Sequence, residues 1–362
     1  MTGQKTCLLV GSVEACSGKS STILGLAHQL TDRGISVGYG KPLGNYVRQT
    51  AAAPIEEDLQ FVASSLNLSA DRVGAPLIYQ TPEAIAAALR QEPVCDTEAD
   101  LRSYVERIVG EAILLELPPN LTEGRLFGLS AVEIARVLAA KVLLVVRYQS
   151  LLFVEQLIAA QSELGDCLLG VAVCDIPEAD LATVKTQVKP FLEDRGIPVL
   201  GLLPRQSLLD SVSVRAIAKQ LDARVLCCQD RLDFLVEDLA IGAMNVNSAL
   251  EYFRKGRNLA IVTGSGRSDL QLAALETSAH CLILTGRVPP LDFVLSRAEN
   301  LEIPILAVDL DTLSTVKKVE RVFTQSRIQE PIQADCVRQL MDEHFDLDRL
   351  LQLLNLEPAL SA

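Results

Sequence analysis

VGSVEACSGKSS, residues 10–21, joins an apolar run, Thr6–Val10, to a segment of helical period that opens at Lys19-Ser20. A strand that ends in a Gly-bearing loop and runs straight into a helix is the setting of a phosphate-binding loop. There, successive backbone N–H groups curl round phosphate oxygens at the positive end of the helix. The lysine of such a loop reaches the outer phosphates, and the hydroxyl after it ligates Mg²⁺. The usual G-x4-GK[ST] spacing is not kept: six residues lie between Gly11 and Gly18, and Val13 stands where the first Gly of the pattern would be. The strand–loop–helix context decides the reading. Ser17, Gly18, Lys19, Ser20 and Ser21 are the expected phosphate-binding residues, with Ser20 an expected Mg²⁺ ligand.

Outward from this loop, apolar runs alternate with amphipathic helical stretches through the first 205 residues. Strands are expected at Thr6–Val10, Val37–Lys41, Ala112–Glu116, Lys141–Arg147, Leu168–Cys174 and Val199–Leu203. Helices are expected at Ser20–Arg33, Glu57–Ser65, Pro82–Leu89, Thr97–Val109, Ser130–Leu138, Leu151–Gly165 and Ala182–Arg195. Gly34 and Gly196 follow two of these helices, as helix stops do. The alternation predicts an α/β fold, a parallel sheet with crossover helices. A second series starts near Ser211: a helix leading to a strand, then strand–helix alternations through LAIVTG, CLILTG and PILAVDLD, enough for a smaller α/β domain. DEHFDLDRLLQLLNL reads as a C-terminal helix, packed on its own domain or on a partner. The expected boundaries are 1–208, 209–330 and a helical tail, 331–362.

Composition agrees. The chain of 362 residues is 49% hydrophobic but only 4% aromatic, without Trp, so its core is aliphatic, as suits buried parallel strands. A formal charge of −13 argues against general nucleic-acid binding. No apolar stretch has the length of a membrane span, and the N-terminus reads as a first strand rather than a signal peptide. Nine Cys without zinc-type spacing suit a reducing cytoplasm. The adjacent Cys227-Cys228 read as strand residues and Cys16 as an inert loop residue. His28, His280 and His344 are too scattered for a metal site.

The loop resembles that of the dethiobiotin synthetase group, which includes the amidotransferase-type cobyrinic acid diamide synthases. Two further segments carry the resemblance. GKPLG, 40–44, is similar to the group's Lys-Pro segment, which places Lys41 near the phosphates or a substrate carboxylate. PIEEDLQFVASSLNL, 54–68, resembles the segment with the Mg²⁺-binding Asp, here Asp58. The resemblance also puts an acid at the end of the third strand, here Glu116. It thus implies a P-loop NTPase-type sheet and a Mg²⁺ site of Ser20, Asp58 and Glu116. Two departures stand out. Glu116 is followed by Leu117-Pro118-Pro119 in place of a Gly-rich loop, and prolines offer no N–H donors to an anionic substrate. In LLGVAVCDIP, 168–177, Cys174 occupies the place of an Asn that contacts adenine in the group, and a thiol is a weak hydrogen-bonding group.

GLLPRQSLLDSVSVRAIAKQLDARVL, 201–226, with IGAMNVNSALEYF, LAIVTGSGRSDLQLAALE, LILTGRVPP and IPILAVDLDTLSTV, resembles the DRTGG domain. A dethiobiotin-synthetase-like domain followed by a DRTGG domain is the N-terminal arrangement of long phosphotransacetylases. Gly266-Arg267 replaces the family's Asp-Arg, and Thr285-Gly286-Arg287 its Thr-Gly-Gly. Thr263, Gly264, Arg267, Ser268, Asp269, Thr285 and Gly286 form a candidate effector or dimer loop, read first as a turn supporting a homodimer interface.

These readings imply a regulatory or sensory protein that binds ATP or a related nucleotide with Mg²⁺ and pairs through its second domain. Any ATPase activity would be slow. The alternatives are an ATP-dependent ligase that phosphorylates a carboxylate and a dimeric scaffold with a vestigial site. In the family resembled, acetyl transfer belongs to a further C-terminal domain, and this sequence stops at Ala362. The expected outcome is that the purified 362-residue chain forms no acetyl phosphate from acetyl-CoA and phosphate. Sustained turnover in that assay overturns the expectation.

Overall fold

Seven strands make one parallel sheet: β1 (Thr6–Ser12), β2 (Val37–Gly40), β3 (Val73–Gly74), β4 (Ala112–Glu116), β5 (Lys141–Arg147), β6 (Leu168–Ile176) and β7 (Val199–Pro204). Their order is β7-β6-β5-β1-β4-β2-β3. The computed structural model describes residues 5–45, 47–48, 55–92, 97–324, 328 and 330–356. Helices α1 (Lys19–Asp32), α2 (Glu57–Ser65), α3 (Pro82–Leu89), α4 (Thr97–Arg107), α5 (Ala131–Leu138), α6 (Phe153–Leu164), α7 (Glu178–Thr183) and α8 (Lys189–Asp194) connect the strands. Parallel strands covered on both faces read as unbroken apolar runs. Accordingly Leu9, Val10, Ile113, Leu114, Leu115 and Val142 to Val146 are all sealed from solvent.

The expected strands are all present, with β1 and β6 each two residues longer than the apolar run suggests. The last expected helix starts earlier, at Glu178, and passes through a π turn, Val184–Val188. Pro190, which has no N–H to give to the preceding turn, lies just beyond it, and widening that turn accommodates the ring.

A second unit, Gln206–Arg327, holds a five-stranded sheet of β8 (Arg224–Cys227), β9 (Asp238–Gly242), β10 (Leu259–Gly264), β11 (Ala279–Thr285) and β12 (Ile305–Val308), ordered β8-β12-β11-β10-β9. β8 runs antiparallel to β12, and the other pairings are parallel. Its longer helices are α9 (Val214–Leu221), α10 (Val246–Phe253), α11 (Ser268–Leu275), α12 (Asp292–Asn300) and α13 (Thr312–Thr324). No helix among the described residues is long and apolar enough to cross a membrane.

The chain then returns to its first unit, Met1–Arg205 with Ile328–Ala362. Helices α14 (Pro331–His344) and α15 (Leu347–Leu354) pack against α1 and the β7 edge. Met341 and Val337 cover Gly25 of α1 so closely that a Cβ there would collide with the Met341 side chain. The Asp346 N–H donates to the Leu200 carbonyl at 2.7 Å, and Arg349 grips Glu193 with two bonds of 2.6 and 2.8 Å.

Overpacking a fitted helix contact costs about 1–3 kcal/mol. Gly25→Val is therefore expected to lower the free energy of unfolding in urea by that amount, with Met341→Ala in the same chain recovering part of it. A Gly25→Val chain as stable as the parent would show that α14 does not rest on α1.

Candidate phosphate-binding site

β1 ends at Ser12, and the chain crosses to α1 through residues 13–18. The crossing needs two left-handed positions, Cys16 at φ +55° and Gly18 at φ +94°, and the second is the residue type that takes such angles freely. Apart from the turn at Ala15-Cys16, none of the backbone N–H groups of residues 14–21 makes a close hydrogen bond among the described residues. The first turn of α1 carries no acidic residue and no side-chain cap. The buried Ser17 hydroxyl has no hydrogen-bond partner among the described residues. Donors without partners at the positive end of a helix are what an anion requires, so the loop fits a phosphate.

Lys19 is only 8% exposed, and its Nζ donates to Ser12 Oγ at 2.9 Å. Ser12 Oγ in turn lies 2.7 Å from the Pro119 carbonyl and 2.9 Å from that of Glu14. The Leu-Pro-Pro segment thus contributes a carbonyl acceptor to the loop rather than N–H donors. Burial lowers the Lys19 pKa, partly opposed by the charge of Glu116.

On the other side of β1, Lys41 leaves the end of β2. Its N–H donates to Tyr104 Oη at 2.9 Å, and that hydroxyl donates to the Gly74 carbonyl at 2.6 Å. Its ammonium lies 2.5 Å from Glu56, 3.3 Å from Asp58 and 3.5 Å from Glu116. Glu56 ends a short strand, Ile55–Glu56, that pairs antiparallel with Val47–Arg48. Glu56 also caps α2 by accepting from the Leu59 N–H at 2.7 Å. Glu116 accepts from Tyr39 Oη at 2.9 Å and Ser20 Oγ at 3.0 Å.

Lys19, Lys41, Glu56, Asp58 and Glu116 are each no more than 8% exposed. Burial alone would lower the Lys41 pKa, but the charges of Glu116, Asp58 and Glu56 hold it high. Burial likewise favours a protonated Glu116, yet Lys41, Lys19 and the two hydroxyls keep its carboxyl below the usual range. Glu56 is pushed up by burial, only partly offset by Lys41.

The expected Mg²⁺ ligands are thus brought together in part. Ser20 touches Glu116, while Asp58 and Glu116 meet on the Lys41 ammonium. Among the described residues no three His, Cys, Asp or Glu side chains form a metal-holding group by themselves. The donors present, a hydroxyl and carboxylates, suit Mg²⁺, which keeps water and phosphate oxygens in its shell rather than an all-protein cage. Glu56 was missed by sequence reasoning. Its one signal is a second acid two residues before Asp58.

Where the resemblance placed a base-contacting Asn, the Cys174 thiol faces the loop instead. Its Sγ lies 3.8 Å from where a Cβ on Gly18 would stand, and burial pushes its pKa up to about 12. The next residue, Asp175, takes a left-handed φ of +60°. It accepts from Arg147 Nε at 2.8 Å and from Arg205 at 2.5 and 3.0 Å.

In the second unit, Gly264 pairs with Thr285 in register, and Ser268 and Asp269 open α11. Thr263 Oγ1 donates to the Gly242 carbonyl at 3.0 Å, and Thr285 Oγ1 lies 2.9 Å from Thr312 Oγ1. Arg267 binds Asp269 twice, at 2.9 Å each, and reaches the Met244 carbonyl. Gly286 has φ +96°. These residues stand together at the carboxyl ends of β10 and β11.

Residues 6–213 match the family described as AAA domain (AAA_26), and residues 216–322 match the DRTGG domain. The chain belongs to the first family and carries a DRTGG domain after it. It is 24% identical over 333 residues to a phosphate acetyltransferase of Synechocystis sp., covering 86% of this chain and 46% of that protein. It is 28% identical over 159 residues to the phosphate acetyltransferase of Nitratidesulfovibrio vulgaris, covering 41% of this chain and 22% of that one. It spans less than half the length of either. The ATP-dependent dethiobiotin synthetase BioD of Pseudomonas aeruginosa is 28% identical over 219 residues, 58% of this chain and 92% of its own length.

Removing the cation from a buried charge cluster costs about 3–5 kcal/mol. Lys41→Met is expected to lose that much in urea unfolding, and adding Glu56→Gln to recover part. An unchanged midpoint for Lys41→Met would show that the ammonium does not hold the three carboxylates.

Proposed function

We propose that the chain is a nucleotide-binding regulatory protein whose first unit holds ATP or a related nucleoside triphosphate with Mg²⁺. The observation that supports this is the loop itself: among the described residues the N–H groups of residues 18–21 and the Ser17 hydroxyl lack close partners, and Lys19 stands at the head of α1. The terminal phosphates would replace Ser12 as the partner of the Lys19 ammonium. Ser20, Glu116 and Asp58 would hold the Mg²⁺, directly or through water, and the ion would offset the charge of the phosphates. Membership of the AAA domain family and the likeness to an ATP-dependent synthetase support a nucleotide as the ligand.

The regulatory reading is favoured over a carboxylate-phosphorylating one by Lys41. A ligase would need that cation for its substrate, whereas here it faces three carboxylates of its own chain. The DRTGG unit, on this reading, pairs two copies of the chain or carries the response, with Thr263–Asp269 and Thr285-Gly286 as its candidate loop.

Titration calorimetry with ATP and GTP, each with Mg²⁺, tests the proposal. The wild type is expected to bind one of them at sub-millimolar concentration. Lys19→Ala is expected to weaken that binding by at least about tenfold, as loss of a charge-assisted contact does. No heat from the wild type, or binding indifferent to Lys19→Ala, overturns it.

A further inference from the structure

The acid cluster on Lys41 lies on the β4–β2 side of the phosphate loop. The strands on the other side of β1 are β5, β6 and β7, and their carboxyl ends carry Arg147, Asp175 and Arg205. These ends adjoin the loop. Cys174, next to Asp175, packs on Gly18, and Gln149, just past β5, donates to Glu14 of the loop at 2.9 Å. In open α/β sheets ligands lie outside the carboxyl ends of the strands. With metal and outer phosphates on the β4 side, the nucleoside of a ligand on the loop is directed over β5–β7. This inference rests on the nucleotide reading above.

The group best placed to read a base there is Asp175. Its two oxygens accept a parallel pair of N–H bonds from Arg205, Nε to Oδ1 at 2.5 Å and an Nη to Oδ2 at 3.0 Å. An arginine fork is a guanidine edge, and guanine presents the same edge through N1–H and its N2 amino group. Adenine does not: its N1 is an acceptor, and a carboxylate oxygen facing it would meet lone pair with lone pair. Arg205 is replaceable, since half of its side chain is exposed, while that of Asp175 is 14% exposed and Arg147 holds it from a second direction. The left-handed backbone at Asp175, uncommon for a residue with a side chain, turns that carboxylate to the two guanidinium groups.

We propose that Asp175 is a base-specificity residue, that the nucleotide bound is a guanine nucleotide, and that Arg205 occupies the guanine position until it binds. Displaced, Arg205 is a donor beside the base, suited to an acceptor such as guanine O6. The thiol of Cys174 then serves as packing under the loop, which explains why it need not hydrogen-bond a base.

Calorimetry with GTP, ITP and ATP, each with Mg²⁺, tests this on the unaltered chain. Sites built to hydrogen-bond a substrate N–H reject analogues that lack it by large factors. GTP is therefore expected to bind at least about tenfold tighter than ITP, which lacks the N2 amino group, and than ATP. Asp175→Asn is expected to lose the GTP preference and to bind XTP in its place, because Asn can donate to the xanthine O2. ATP binding equal to or tighter than GTP overturns the guanine assignment and leaves the nucleotide reading standing. Equal binding of GTP and ITP likewise overturns it. If no triphosphate binds, the nucleotide reading falls and this inference falls with it.

Discussion

A buried ammonium group that meets several carboxylates at once fixes the chain around it. Lys41 is that group here. It draws Glu56, Asp58 and Glu116 to one point, and those residues come from the return strand before α2, the first turn of α2 and the end of β4. Through Glu116 the constraint reaches Ser20 and so the head of α1. Through the Lys41 backbone it reaches Tyr104 and Gly74. The phosphate loop is therefore braced on one flank by electrostatics rather than by apolar packing. On the nucleotide reading proposed above, such an arrangement would let charge be exchanged for charge without opening the core.

Much of the first unit was legible because its physics is local. Buried parallel strands announce themselves as Val, Ile and Leu runs, and α2 and α3 begin and end where the pattern places them, at Glu57–Ser65 and Pro82–Leu89. A strand of two residues such as Val73–Gly74 has no periodicity to read. β9 escaped for another reason. As an edge strand it leaves Asp238 and Ile241 exposed and shows no unbroken apolar run.

The candidate site divides in the same way. Loop residues Ser17 to Ser21 lie in one contiguous stretch, and their helix-head placement follows from sequence order alone. Glu56, Tyr39 and Ser12 were illegible because each acts on a residue that a turn or a sheet pairing brings near. The Arg147–Asp175–Arg205 tie is the clearest example, since it spans the ends of three neighbouring strands. Arg267 was legible as a loop residue, but its engagement by Asp269 two positions on became clear only from the geometry.

The second unit is inserted within the first: the chain leaves after Arg205 and comes back at Ile328. That topology has a cost during synthesis. Between the emergence of Pro204 and of Met341 the nascent chain displays the bare side of α1 and an open β7 edge. Ribosomes add roughly 5–20 residues per second, so this interval lasts on the order of ten seconds. Apolar surface left uncovered for so long attracts chaperones and like chains. Production of this protein should therefore respond more to translation speed and temperature than the stability of its finished form would suggest.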